Sequence, residues 1–320
     1  MSADHLTAAS PAKIAAAVLA VLSGSDLEDT AVGMGMSAVE LADAVRMYQA
    51  AGLAALEQQA DGEWYQLAIE FGHGSTSEMV AATQLGPRLD LLQSQGVVQG
   101  WWFLYKPPGW RLRLRTADHA AVDRTFRDLA EARAVARWWP TVYEPEAFAF
   151  GGPVGVDIVH ELFCADSRGV LNYARQEAPG LGRRELSLLL INVLFREAGL
   201  DSFERGDVFS RVAEIRPAPP AGHFAAMEAL APKVRILLQA PQQADRELLA
   251  DTMAFAEPWL AAYGVAGRRL GDAAARGRLD RGLRAVLTHV LIFHWNRFGL
   301  PATTQGVLAR AAKTAFLPRS

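Results

Sequence analysis

The stretch VVQGWWFLYKPPGWRLRLRT, residues 97–116, decides the fold of this chain of 320 residues. Residues 97–105 and 110–116 are rich in aromatic, β-branched and alternating apolar residues, which is typical of β-strands. The segment that joins them, Lys106-Pro107-Pro108-Gly109, consists of residues that favour a tight turn. The sequence therefore predicts a β-hairpin at this point of the chain.

The segments on either side of the hairpin complete a regular order of elements. Residues 64–71 alternate as a strand, and residues 77–95 and 118–137 carry helical patterns. A fourth strand is predicted to begin at residues 140–143. The resulting order β-α-β-β-α-β is that of the split βαβ, or ferredoxin-like, arrangement.

After Gly152, the sequence shows helical patterns only. They cover residues 154–176, 182–197, 207–215, 222–239, 244–263 and 280–298. We therefore expect an α+β fold with a ferredoxin-like βαββαβ sheet unit, an N-terminal helical cap and a large helical C-terminal half. The expected domains are residues 1–60, which form the cap, and residues 61–320, which carry the chemistry.

The first sixty residues predict a helical cap with the outline of a helix-turn-helix. A helix at residues 11–22 is followed by a glycine turn and by a helix at residues 37–56, which starts with the capping box Ser37 and Glu40. These sixty residues contain seven acidic and two basic residues. Because DNA binding depends on neutralising phosphates, this charge argues against it. We expect a structural cap or a peptide-docking module instead.

The composition is that of an ordinary globular protein. Hydrophobic residues make up 51% and charged residues 21% of the chain, and the formal net charge is −3. Cys164 is the single cysteine, so no disulfide can form within one chain. The first residues, MSADH, lack the basic start of a signal peptide, and the apolar runs are too short to span a bilayer. We expect a cytoplasmic protein that binds neither DNA nor membranes.

The sequence carries none of the familiar cofactor or metal motifs. It has no phosphate-binding glycine loop, no dinucleotide fingerprint, no serine nucleophile elbow and no HExxH zinc motif. This disfavours an enzyme that uses a nucleotide, a nicotinamide or a metal. We expect no cofactor and no metal site.

The segment from Arg111 to Arg115 places three arginines on one face of a strand. Alternation puts Leu112 and Leu114 on one face and Arg111, Arg113 and Arg115 on the other. Like charges about 7 Å apart repel one another unless anions lie among them. Two interpretations are open: a solvated face with acidic partners such as Glu70, or a cradle for a carboxylate or phosphate.

Two further parts of the sequence could bind an anion or transfer a proton. Gly151 and Gly152 precede Pro153 at a helix start, where free backbone N–H groups suit an anion, although a plain strand-to-helix turn has the same pattern. Nearer the C-terminus, His294 and Arg297 are neighbours on one helix face. His289 lies about 140° around the helix from His294, so the two do not share a metal. A histidine among apolar residues is usually a hydrogen-bonded core histidine.

Four motifs follow one another between residues 64 and 308. They are Trp101-Trp102-Phe103 leading into the arginine strand, Tyr143-x-Pro-Glu146 with Gly151-Gly152, Leu162-Phe163-x-x-Asp166-Ser167, and His294-Trp295-Asn296-Arg297. In this order they resemble the thiopeptide-type bacteriocin biosynthesis proteins. These are stand-alone relatives of the small C-terminal domain of class I lanthipeptide dehydratases.

The resemblance implies a reaction on a precursor peptide with a leader and a core. In the family, a partner dehydratase protein uses glutamyl-tRNA to glutamylate serine or threonine. The small domain then eliminates glutamate and leaves dehydroalanine or dehydrobutyrine. The resemblance implies that Arg113 or Arg115 binds glutamate, that Glu146 is the acid of a Glu-x-x-Arg-Tyr-Gly-Gly motif, and that His294 or His289 transfers the proton. Further substrate-binding candidates are Arg111, Arg297, Gly151, Gly152 and His289.

One position departs from the family pattern. The arginine expected before aromatic-Gly-Gly is Ala149 in this chain. Arg111 or Arg297 could supply the missing charge. A changed chemistry is the alternative, because relatives without the elimination residues include the pyridine synthases of thiopeptides. These join two dehydroalanines in a formal [4+2] cycloaddition and expel the leader peptide. A third hypothesis is a non-catalytic peptide-binding partner of a dehydratase.

Overall fold

The structure is a computed structural model that describes residues 11–61, 64–72, 77–106, 109–218, 224–239 and 253–317. Parts of three predicted features lie outside the described residues. They are Pro107-Pro108 of the hairpin turn and the first residues of the helices predicted at 222–239 and 244–263. The chain divides into two compact units, Met1–Gly62 and Glu63–Ser320.

The first unit consists of helices. They are α1 (Pro11–Leu22), α2 (Leu27–Met34) and α3 (Ala38–Asp61), packed around a small apolar core that includes Val18 and Leu41. The predicted capping box is present: the backbone N–H of Ser37 donates to Glu40 at 3.0 Å, and that of Glu40 donates to the Ser37 hydroxyl at 3.2 Å. The glycine turn expected before Ser37 is preceded by α2, which ends at the left-handed Gly35.

The second unit contains the predicted sheet. Its strands are β1 (Trp64–Phe71), β2 (Gly100–Lys106), β3 (Gly109–Arg115) and β4 (Val135–Thr141). They are arranged in the order β2-β3-β1-β4 with every neighbouring pair antiparallel. This is the strand order of the split βαβ arrangement, which confirms the expected fold.

The helical crossovers link these strands. The first comprises α4 (Ser77–Val80), a π-helical turn (Ala81–Leu85) and α5 (Gly86–Ser94), and the second is α6 (His119–Glu131). The second helix is shorter than predicted, since the chain turns at Arg133, which has a φ of 58°. Strand β4 therefore begins at Val135, before Pro140. Pro140 is tolerated there because β4 is an edge strand, where a missing N–H removes no ladder bond.

The described part of the C-terminal half is helical, as predicted, although the helix predicted at 244–263 is found at Glu257–Ala275. After a 3₁₀ turn (Ala147–Phe150), the helices are α7 (Pro153–Ala174), α8 (Arg183–Glu197), α9 (Ser202–Ile215), α10 (Phe224–Gln239), α11 (Glu257–Ala275), α12 (Leu283–Arg297) and α13 (Ala302–Phe316). The sequence did not predict α13, because Pro301 follows Gly299 as a helix stop. Here Pro301 also precedes the next helix as its N-cap.

Two of these helices position the site. Helix α7 packs against β2 and against α11, and α12 contacts both β2 and α7. In the sheet, Arg113 lies opposite Trp102 on one side and Gln66 on the other. Directly opposed residues of antiparallel strands share a face, so these three side chains project to the same side.

Candidate functional site

Arg113 is a buried cation with unused hydrogen-bond donors. Its side chain is 7% exposed, and its guanidinium carbon lies 4.0 Å from the ring centre of Trp102 and 4.9 Å from that of Tyr143. Its Nε and Nη1 atoms have no hydrogen-bond partner among the described residues. Burial lowers the pKa of Arg113 to about 10, against the raising effect of Tyr143 and Glu146. Arg113 is therefore charged at neutral pH, and a buried charge of this kind favours an anionic ligand.

The other two arginines of the strand flank Arg113. Arg111 is half-buried and Arg115 is exposed, so the arginine face runs from solvent into the protein. Glu70, the acidic partner considered in the sequence, does not neutralise this face. It forms an ion pair with Arg137 of the edge strand, at 2.8 Å between Oε1 and Nη2.

His160 was not predicted as a site residue, and it completes the surroundings of Arg113. It projects from α7, is 7% exposed, and shares a hydrogen bond of 2.7 Å between its Nε2 and the Tyr143 hydroxyl. Its ring centre lies 4.9 Å from that of Trp64 and 5.8 Å from that of Trp102. Burial, followed by the charges of Arg113 and Arg115, lowers the pKa of His160 to about 3. The imidazole is therefore neutral at physiological pH.

The motif around Glu146 contributes charge from the edge of the site. Glu146 is exposed, and its charge raises the pKa of Arg113, so the structure brings these two predicted residues together. Ala149 is half-buried and places no charge where the family has arginine. Arg281 approaches the same segment, with its guanidinium 5.2 Å from the ring centre of the exposed Phe148.

The two glycines form a tight junction with a carboxylate of the protein itself. Gly151 and Gly152 have φ angles of 83° and 84°, which favour glycine, and Gly152 is the N-cap of α7. A Cβ at Gly152 would clash with the Asp280 carboxylate, and the backbone N–H of Asp280 donates to Gly151 at 3.0 Å. The carboxylate beside this helix start is therefore that of Asp280.

A second charged cluster lies deeper, around Asp166 of α7. This carboxylate accepts hydrogen bonds from Trp259 Nε1 at 2.8 Å, from the Tyr263 hydroxyl at 2.9 Å and from His294 Nδ1 at 2.9 Å. It also forms an ion pair with Nη1 of Arg297. Burial raises the pKa of Asp166, but the charges and hydrogen bonds of His294 and Arg297 outweigh it and lower that pKa to about 2. Asp166 is therefore ionised at neutral pH.

Of the site residues predicted near the C-terminus, Arg297 and His294 belong to the cluster around Asp166, whereas His289 does not. Arg297 is completely buried; its Nε donates to the Phe103 carbonyl of β2 at 2.9 Å, and its guanidinium lies 5.6 Å from the Trp102 ring centre. His294 is 1% exposed, and its Nε2 has no partner among the described residues. His289 is half-buried, with Nδ1 2.9 Å from the Ala285 carbonyl. The guanidinium groups of Arg113 and Arg297 therefore both lie close to the Trp102 ring.

Asn296, which lies in the same motif as His294 and Arg297, lines a separate cavity. A cavity of 720 Å³ is bounded by Asn296, Glu78, Tyr105 and Arg183, among others. Arg183 is paired with Glu78 there, so its charge is already neutralised.

Within the described residues, no group of three His, Cys, Asp or Glu side chains could hold a metal ion. None of the helices in that part of the chain is both long and apolar enough to span a membrane.

Comparison with known proteins identifies the class. The family described as lantibiotic biosynthesis dehydratase C-term matches residues 64–316. The chain therefore belongs to the family of C-terminal domains of lantibiotic biosynthesis dehydratases. It is a protein of the lantibiotic type in the biosynthesis of ribosomally synthesised and modified peptides (RiPPs), the class that its four motifs predicted. No curated protein sequence matches the chain.

Three solved structures share the fold. The tRNA-dependent lantibiotic dehydratase MibB from Microbispora sp. 107891 is 16% identical, with a TM-score of 0.51; the match covers 78% of this chain and 28% of MibB. TsrL is 15% identical (TM-score 0.50), covering 80% and 99% of the two chains. The pyridine synthase TbtD from thiomuracin biosynthesis is 13% identical (TM-score 0.51), covering 79% and 97%. The chain thus spans little more than a quarter of MibB.

Proposed function

We propose that this protein eliminates glutamate from glutamylated serine or threonine of a precursor peptide and leaves dehydroalanine or dehydrobutyrine. The observation that carries the proposal is the buried Arg113, whose Nε and Nη1 atoms lack a partner among the described residues. The leaving group of this elimination is a carboxylate. A preorganised guanidinium in a water-poor site stabilises the negative charge that develops as a carboxylate departs.

The arginine face suits the shape of the leaving group. Glutamate carries two carboxylates, and Arg113 lies in a row with Arg111 and Arg115 at the strand spacing of about 7 Å between alternate residues. We assign the departing carboxylate to Arg113 and the second carboxylate to Arg111 or Arg115. Glu146 lies at the edge of the same site and, in this proposal, meets the ammonium group of the glutamyl residue.

The deeper residues support the site from behind. Arg297 is buried and already binds Asp166 and the Phe103 carbonyl. We therefore propose that Arg297 and His294 hold Trp102 and Arg113 in place. Gly151 and Gly152 allow Asp280 to approach the start of α7 and so shape the segment that carries Glu146. His289 stays a candidate contact of the peptide.

The proposed reaction requires partners. A glutamyl-tRNA-dependent dehydratase protein must glutamylate the precursor peptide before elimination. The acidic helical unit before Gly62 is a candidate docking module for the peptide or for that partner, because its charge complements a basic segment. We propose that the reaction takes place in the cytoplasm, where aminoacyl-tRNA is available.

The second candidate function is that of a thiopeptide pyridine synthase. The observation that favours it is Ala149, which leaves the family's arginine position without charge. TbtD, which shares the fold, is described as a pyridine synthase. In this case the half-buried aromatic side chains Trp64 and Tyr143 would pack against two dehydroalanines.

One experiment separates the two functions. The purified protein is mixed with a peptide glutamylated on serine, and in parallel with a peptide that carries two dehydroalanines and a leader. Elimination releases free glutamate and gives a peptide one water lighter than the unmodified form. Cyclisation of the second peptide with loss of its leader, while the first stays unchanged, would replace the proposed function by the second candidate. A protein that binds both peptides and changes neither would be a scaffold.

A further inference from the structure

Elimination needs a group that removes the proton from the α-carbon of the glutamylated residue. The two histidines predicted for this role are poorly placed for it. His294 is 1% exposed, with Nδ1 bound to Asp166. His289 lies beside Phe150, with Nδ1 held by the Ala285 carbonyl. A peptide held by Arg113 needs a base on the arginine face.

We propose that Tyr143 and His160 form the proton-transfer pair of this site, with the Tyr143 hydroxyl facing the peptide and His160 accepting its proton from behind. This inference rests on the proposed function, because it assigns the base of that elimination.

The contacts of the pair support this division of roles. The Tyr143 hydroxyl oxygen lies 2.7 Å from His160 Nε2, within hydrogen-bond distance, which is a short path for a proton. Tyr143 is half-buried and reaches the surface, whereas His160 is buried between the sheet and α7. The rings of Trp64 and Trp102 flank the imidazole and fix its orientation.

Arg113 is placed to stabilise negative charge that develops on Tyr143 during the transfer. Its guanidinium carbon lies 4.9 Å from the centre of the phenol ring, so negative charge on the ring oxygen meets a positive charge in a water-poor site. In the free site, burial and the charges of Arg113 and Arg115 hold the pKa of His160 at about 3. A bound glutamyl carboxylate offsets those two charges, and the neutral imidazole then becomes a better proton acceptor.

The proton of the peptide α-carbon moves to the Tyr143 oxygen as the Tyr143 hydroxyl proton moves to Nε2 of His160, so that no free phenolate is formed. The electron pair of that C–H bond forms the double bond between the α- and β-carbons. The bond between the β-carbon and the ester oxygen breaks, and glutamate leaves as a carboxylate held by Arg113. His160 then returns its proton to water.

The test uses the full chain and two peptides. One is glutamylated on serine through the natural ester. The other carries the same glutamyl group through an amide, on diaminopropionate, and cannot readily expel it. In heavy water, the amide peptide reports removal of the α-proton by uptake of deuterium, whether or not elimination follows. Tyr143→Phe and His160→Gln remove the proposed pair, and the affinity of each variant for the amide peptide shows whether binding survives.

The chain provides a matched control. Tyr65 and His119 form a second tyrosine–histidine contact on the other side of β1, with ring centres 4.2 Å apart and the Tyr65 hydroxyl bound to Asp123. We expect Tyr65→Phe and His119→Gln to leave both reactions within about threefold of wild type. Tyr143→Phe and His160→Gln should each slow glutamate release and deuterium uptake by about a hundredfold or more, with peptide affinity changed by less than about threefold.

The outcomes distinguish this inference from the proposed function. If the wild type releases glutamate and both variants do so at comparable rates, the pair is not the base, whereas the proposed function stands. If the wild type takes up deuterium through Tyr143 but releases nothing from the ester, the pair stands and the proposed function fails. If the wild type does neither, both are wrong. Circular dichroism of each variant identifies any loss of folding, and His160→Asn then serves as the second substitution.

Discussion

Nδ1 of His294 donates to Oδ1 of Asp166 at 2.9 Å, and solvent reaches almost nothing of either side chain. The same carboxylate binds Trp259 and Tyr263 of α11 and Arg297 of α12, while Arg297 in turn binds the carbonyl of Phe103 in β2. One buried charge thereby joins three helices and the sheet edge that carries Trp102.

Asp166→Asn should destabilise the protein strongly. The substitution leaves the buried Arg297 without its counter-charge, and breaking such a buried pair costs about 3–5 kcal/mol of unfolding free energy. Urea unfolding followed by circular dichroism measures this loss. Glu161→Gln is the control, because Glu161 forms an exposed pair with Arg269 that is worth at most about 1 kcal/mol. Equal losses in the two variants would contradict the structural role of Asp166.

The buried His160 should make the protein less stable as the pH falls. Its pKa is lowered from 6.5 to about 3 on folding, so below pH 6.5 the unfolded chain binds a proton that the folded chain does not. Unfolding free energy should therefore decrease from pH 6.5 down to about 3, by about 2 kcal/mol at pH 5. His160→Gln should lack this component and differ from wild type by a constant amount above pH 7. Parallel curves from pH 7 to pH 4 would show that His160 titrates normally in the folded protein.

Arg113→Ala should slow glutamate release by roughly ten- to a thousandfold, since it removes a donor to the departing carboxylate. Arg113→Lys keeps the charge but not the two-pronged geometry, and should recover only part of the rate. Release is followed by an enzyme-coupled glutamate assay under single-turnover conditions. Arg137→Ala is the matched control, because Arg137 lies on the same sheet but is paired with Glu70. A loss of similar size in that control would indicate a general effect on the sheet.

Ala149→Arg should accelerate glutamate release if the site performs the family's elimination with one cation missing. The substitution restores a guanidinium beside Glu146 and the two glycines, where the family motif has one. Ala147→Arg, in the same 3₁₀ turn but exposed, is the control for a simple increase in positive charge. Mass spectrometry of the peptide product over time compares the two variants. No gain in Ala149→Arg would favour the view that another arginine, such as Arg281, already covers this position.

Local sequence patterns predicted the sheet because each of its strands and connecting helices has a recognisable pattern of its own. The alternating residues of β2 and β3 and the helical pattern that begins at residue 118 depend only on neighbours in the chain, and they gave the correct βαββαβ order. The two errors at Pro140 and Pro301 share a physical cause. Proline disrupts a helix interior but is accepted in an edge strand and just before a helix, and only the tertiary arrangement shows which case applies.

The surroundings of Arg113 could be predicted only in part. Alternation indicated that Arg111, Arg113 and Arg115 share a face, but not that burial increases from Arg115 to Arg113. His160 is separated from Arg113 by 47 positions and meets it because α7 packs against the sheet. No pattern within α7 distinguishes His160 from an ordinary core histidine. Asp166 stands in one of the four motifs, but its contact with Tyr263 could not be predicted, because it joins two helices that are far apart in the chain.

The hydrogen bonds and the ion pair of Asp166 also indicate where a new peptide selectivity can evolve. The residues that this carboxylate ties together are common to several helices, so a change at any of them is transmitted to the others. The segment 142–149 carries Tyr143, Glu146 and Ala149 and lies outside those bonds. Substitutions in this segment at positions other than Tyr143 and Glu146 would alter the proposed peptide-binding surface while the helices behind keep their positions. Directed evolution toward a different precursor should therefore accumulate its first productive changes in this segment.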